Sequence, residues 1–108
     1  MEKPQILGVK SEEYSKGRLD SFSISEKNRG FEAIVSCLVD FGFSEESIKT
    51  EIDLALEHRD YLFLYLNHDL KVHLSAEGTK NSFVVRFDTS LSREKINKVM
   101  GKYFQFPK

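Results

Sequence analysis

In residues 70–77 and 83–88 every second side chain is apolar, and this period of two constrains the fold more than any other feature of the chain. Leu70, Val72, Leu74 and Ala76 alternate with Lys71, His73, Ser75 and Glu77. Phe83, Val85 and Phe87 alternate with Val84, Arg86 and Asp88. Successive side chains of a strand point to opposite faces, so this pattern specifies antiparallel strands with at least one buried face. Residues 61–66 are apolar at every position, another strand. Ile52, Leu54 and Leu56 alternate with Glu51, Asp53, Ala55 and Glu57, which predicts a further strand from Lys49.

Segments of helical period flank this block. Phe31, Ile34, Val35, Leu38 and Phe41 fall at i, i+3, i+4, i+7 and i+10, one apolar stripe of a helix. Asn28 or Ser25 is placed to cap its start, and Gly42 followed by Phe43 to stop it. Ile96, Val99, Met100, Tyr103 and Phe104 form a second stripe behind a cap at Ser92 or Ser90, with Pro107 to end it. Residues 44–47, Ser-Glu-Glu-Ser, read as a solvated connector or a single helical turn. Residues 1–18 read as a loose segment or an edge strand. Phe22 and Ile24 among serines give a modest strand signal.

Face consistency sets the register, because a slip of one residue sends every side chain to the other face. A loop over 67–69 pairs Leu66 with Leu70, Leu64 with Val72 and Leu62 with Leu74. A loop centred on Thr79 and Lys80 pairs Ala76 with Phe83, Leu74 with Val85 and Val72 with Phe87. A loop over 58–60 pairs Leu56 with Leu62 and Leu54 with Leu64, although a two-residue turn there would pair Leu56 with Phe63. The expected fold is α+β: a two-layer sandwich in one domain, 1–108, with a four-stranded antiparallel meander sheet and two helices packed on one face. The order is α-β-β-β-β-α, preceded by a fifth strand if the N-terminal segment pairs.

The same register places Tyr61, Phe63 and Tyr65 on the face that the helices leave open. Beside them lie Lys71 opposite Asp88, and His73 opposite Arg86. Aromatic groups and arginine are enriched at protein interfaces, and aromatics on an open sheet also stack bases. Strand-forming aromatics covered by residues 6–9 or 22–24 are the plainer reading. A second surface is the last helix, where Arg93, Lys95, Lys98 and Lys102 precede Lys108. Residues 92–108 hold five cations against one anion, a net of +4, and residues 1–91 hold 11 cations against 16 anions, a net of −5. A basic helix face suits phosphates or an acidic partner, although cations near a helix C-terminus also complement the macrodipole.

Other chemistry is sparse. Cys37 is the one cysteine, which excludes an intramolecular disulfide and suits a reducing compartment. His58 and His68 are expected in turns at opposite ends of the sheet, so no metal is expected to join them, and no cofactor motif is present. Paired carboxylates sit at turns or on solvated faces. Residues 1–10 lack the apolar core of a secretory leader, and no run approaches the length of a membrane helix, so a cytoplasmic protein without membrane attachment is expected. The order helix, strands, helix resembles the double-stranded-RNA-binding domain, and Arg93, Lys95 and Lys98 match the opening of its basic last helix. The extra strand, the partial basic cluster and the lack of a Gly-Pro-x-His-like loop separate the chain from it. The leading functional expectation is a non-enzymatic binding or adaptor module acting through a protein contact or as a homodimer. It would use Tyr61, Phe63, Tyr65, Lys71, His73 and Arg86. The alternative is a nucleic-acid-binding domain that adds phosphate contacts from Arg93, Lys95, Lys98 and Lys102.

Overall fold

In the computed structural model, which describes residues 3–25, 27–58, 61–75 and 82–107, the elements follow in the order β1 (Ile6–Tyr14), β2 (Gly17–Ser25), α1 (Lys27–Phe41), α2 (Glu45–His58), β3 (Tyr61–Asn67), β4 (Leu70–Ser75), β5 (Ser82–Thr89) and α3 (Arg93–Tyr103). The five strands form one antiparallel sheet in the order β1-β2-β5-β4-β3. The fold is therefore α+β, with three helices rather than the two expected.

The period-two block folds as its pattern requires. Leu62 faces Leu74, Leu64 faces Val72, Leu74 faces Val85, and Val72 faces Phe87. All six are buried, with Leu70 and Phe83. The register shifts once, between Tyr65 and Asn67, so that Asn67 rather than Leu66 faces Leu70. The Asn67 Oδ1 accepts the Asp69 N–H at 2.8 Å, and this local turn takes up the extra residue. The expected pair of Ala76 with Phe83 lies outside the described residues.

The expected strand from Lys49 is instead α2. Ser44 Oγ accepts the Ser47 N–H at 3.1 Å, a helix N-cap, and Glu45 and Glu46 complement the positive helix end. Ile48 and Ile52, four residues apart, turn to the core, while Leu54 faces out at 40% exposed. The alternation of Ile52 and Leu54 therefore reflects no strand. The pairs Leu56–Leu62 and Leu54–Leu64 do not form, and among the described residues β3 is an edge strand whose one strand neighbour is β4.

Residues 6–14, expected as loop or edge strand, form the edge strand β1, and Ser11, Glu12 and Glu13 lie within it. A turn at Ser15 and Lys16 joins it to β2, where Asp20, Phe22 and Ile24 point inward. Strand β2 pairs with β5, with Phe22 opposite Val85 and Ile24 opposite Phe83. From the helices, Ile34, Cys37 and Leu38 of α1, Ile48 of α2, and Ile96 and Met100 of α3 enter the same core as the inward residues of the sheet. Gly42, at φ 115°, ends α1, and the Phe43 N–H reaches back to the Leu38 carbonyl at 3.0 Å with the Phe43 ring buried. Ser92 caps α3, accepting the Lys95 N–H at 3.1 Å, and α3 stops at Tyr103, short of Pro107.

Candidate interaction surface

Strand pairing lays the open face out in rows. One runs Glu12, Leu19, Asp88, Lys71, Tyr65; the next runs Lys10, Ser21, Arg86, His73, Phe63; the third runs Gly8, Ser23, Val84, Ser75, Tyr61. Strand β2 contributes Leu19, Ser21 and Ser23 to these rows, and the aromatic side chains of Tyr61, Phe63 and Tyr65 stand on β3 at one edge. Tyr61 is 43% exposed, Phe63 44% and Tyr65 52%. Six candidate residues are thus together: Tyr61, Phe63, Tyr65, Lys71, His73 and Arg86. The Tyr61 ring stacks on His73, with centroids 5.4 Å apart and an interplanar angle of 26°. Tyr65 meets His68 edge-on, and Arg86 Nη1 donates to Ser75 Oγ at 3.2 Å.

The N-terminal segment does not cover these aromatics. Phe22 and Ile24 are buried on the other face, and β1 occupies the opposite edge, with three strands between it and β3. At that edge the Tyr14 hydroxyl donates to the Asp88 carboxylate, which raises the tyrosine pKa. Gly17 lets β2 approach β5 closely there, since a Cβ would stand 2.7 Å from the Thr89 carbonyl oxygen.

The basic residues of α3 are elsewhere. Ile96 and Met100 enter the core, which sets α3 on the buried side of the sheet and leaves Lys95, Lys98 and Lys102 exposed away from the aromatic face. Lys102 Nζ pairs with Asp40 of α1 at 3.3 Å, and Tyr103 donates to the same carboxylate. Arg93 Nη2 binds Ser11 Oγ at 3.0 Å and Glu13 Oε1 at 3.2 Å, tying α3 to β1. The two candidate groups do not share a surface.

Two further polar residues, Glu51 beside the surface and Asp20 in the core, are not among those singled out from the sequence. Glu51, which an alternating strand would place on a solvated face, lies on α2, and its Oε1 accepts the Phe63 N–H at the outer edge of β3, 3.2 Å away. Asp20 is buried in the inward register of β2. Its carboxylate is held by Arg18 Nε at 2.9 Å to each oxygen and by the Ser11 hydroxyl at 2.6 Å. A carboxylate in line with Phe22 and Ile24, two residues from an arginine on the same face, is the signal that marks it.

Cys37 is fully buried with its Sγ 3.9 Å from the Val99 carbonyl, and burial pushes its pKa up to about 12. A thiol so placed is neutral at pH 7 and not a nucleophile. Among the described residues no cluster of three metal-ligating side chains occurs, and no helix is long and apolar enough to cross a membrane. Comparison with protein-family models, curated proteins and solved structures finds no match.

Proposed function

We propose that the protein is a small non-enzymatic binding module that works through a protein contact at the open face and outer edge of β3, as a homodimer subunit or an adaptor. The observation that carries this reading is the exposure of Tyr61, Phe63 and Tyr65 side by side on an edge strand. Scattered apolar residues are ordinary on a protein surface, whereas a contiguous patch flanked by polar groups is the usual form of a contact site. Lys71, His73 and Arg86 supply that flank. The reading takes the molecule as two layers, with helices on one side of the sheet and the partner's place on the other. The lone buried thiol of Cys37 suits a cytoplasmic protein.

A photo-crosslinking amino acid at position 63, with position 98 as control, tests the reading in source cells. Protein adducts from position 63 and none from position 98 are expected. Adducts to nucleic acid alone, or no adduct, would overturn the reading.

The nucleic-acid reading draws on the same platform, where Tyr61 already stacks on His73 beside Arg86. It is the weaker one, because the cations of α3 are not continuous with the aromatics. It requires affinity for RNA or single-stranded DNA that falls by about 0.7 to 0.9 log units per phosphate contact for each tenfold rise in salt. A lack of binding at low salt removes it.

A further inference from the structure

We infer that the protein contact at β3 is made by a second copy of this chain, whose own β3 pairs antiparallel along the outer edge about a two-fold axis at Phe63. The inference rests on the reading that β3 is the contact surface, and it names the partner. Because the Phe63 N–H reaches out to Glu51, the main-chain groups of Phe63 point away from β4. Alternation along the strand turns those of Tyr61 and Tyr65 the same way.

The two edges of the sheet are protected very differently. On β1, Lys10, Glu12 and Glu13 put charge along the strand, the register shifts between Ile6 and Gly8, and Gln105 bridges to Gln5 at its start. Such charges and irregularities are how edges avoid pairing with other chains. In β3, residues 61–66 carry no charge, and the Glu51 carboxylate is what meets the edge.

The chemistry of β3 matches itself. Residues 61–65 read Tyr-Leu-Phe-Leu-Tyr in both directions. A two-fold axis at Phe63 therefore sets Tyr61 against Tyr65 of the second copy on the open face, and Leu62 against Leu64 on the buried face. Burial area points to which elements must take part. Aromatic rings about half exposed offer roughly 100 Å² each, so six of them supply roughly 600 Å². Specific interfaces begin at about 1,200 Å². Leu54, one helical turn beyond Glu51 and 40% exposed, brings α2 to the joint for part of the remainder. A contact near the lower size limit is a weak, reversible dimer with Kd in the range of about 1 to 100 μM.

Pairing moves the Phe63 N–H from the Glu51 carboxylate to the Phe63 carbonyl of the second copy, so Glu51 competes with the dimer. Sedimentation of the full chain up to about 0.5 mM tests this, with wild type expected to dimerise and Glu51→Ala to do so about threefold to tenfold more tightly. Phe63→Lys and Phe63→Glu are each expected to be monomeric, and to form a one-to-one dimer when mixed, because opposite charges then meet at the axis. Circular dichroism verifies that each variant is folded. Three outcomes would overturn the inference: wild type and Glu51→Ala monomeric throughout, open-ended polymers instead of dimers, or a wild-type dimer whose Lys and Glu variants fail to recombine. In any of these cases, crosslinks from position 63 to a different protein would leave the protein-contact reading standing, and the absence of all crosslinks would end both.

Discussion

Asp20 shows how a single residue can break the pattern it sits in and still be accommodated. It occupies an inward position of β2 and is 3% exposed, where an unpaired carboxylate would be prohibitive. Burial pushes its pKa up, but the hydrogen bonds from Arg18 and Ser11 and the charges of Arg18 and Arg93 outweigh that and hold it below the ordinary value. Folding therefore favours the ionised form. The resulting stabilisation is present in full above the unfolded pKa, about 3.9, and is lost as pH falls through the lower folded value. Asp20→Asn leaves Arg18 without its counter-charge and is expected to cost about 3 kcal/mol at neutral pH. Its stability should also change less than that of wild type between about pH 4 and pH 2. Urea denaturation at both ends of that range measures the two slopes. Parallel losses in both proteins would mean the Asp20 charge contributes nothing.

At the scale of elements, α1 sets helix propensity against packing. Gly30 lies inside the helix, where replacement by alanine normally stabilises by about 1 kcal/mol. Here an added Cβ would meet Ile24 Cγ2 at 2.7 Å and the Ser25 carbonyl oxygen at 3.0 Å. Ile24 is fully buried and the carbonyl belongs to the backbone, so neither yields easily. Gly30→Ala is therefore expected to destabilise by about 1 to 3 kcal/mol, visible as a lower Tm. The element α2 carries the opposite lesson. Its residues fit both periods; Ser44 with Glu45 and Glu46 lowers the cost of starting a helix, and the packing of Ile48 and Ile52 against the core settles the choice.

For the whole molecule, the two chain ends close the β1 side. The Gln105 N–H donates to the Pro4 carbonyl and the Ile6 N–H to the Gln105 carbonyl, both at 2.9 Å. Phe104 is buried just behind them, while Phe106 meets Phe22 edge-on. The last residues thus anchor the first strand. Phe104→Ala is expected to cost about 3 to 5 kcal/mol. It should also speed amide exchange at Ile6 more than at Val72, which lies in the centre of the sheet. Equal acceleration at both sites would show that the ends unfold only with the whole.

The sequence by itself determined two pairings of the sheet, β3 with β4 and β4 with β5, the two amphipathic helices α1 and α3, and the orientation of Tyr61, Phe63 and Tyr65 away from the core. The helices follow from their 3.6-residue apolar stripes, and the pairings from alternation, in which a slip of one residue sends every side chain to the wrong face. Tertiary structure alone decided the placing of β1, whose outer part projects beyond the core and so carries no apolar alternation to read. It also decided that 45–58 is helical, because Ile48 and Ile52 find the core only when α2 lies beside β3. That choice leaves β3 at the edge and brings Glu51 to the Phe63 N–H. Pattern records which side of a strand is buried; which strand stands at the edge depends on where distant segments pack, and the candidate site depends on that.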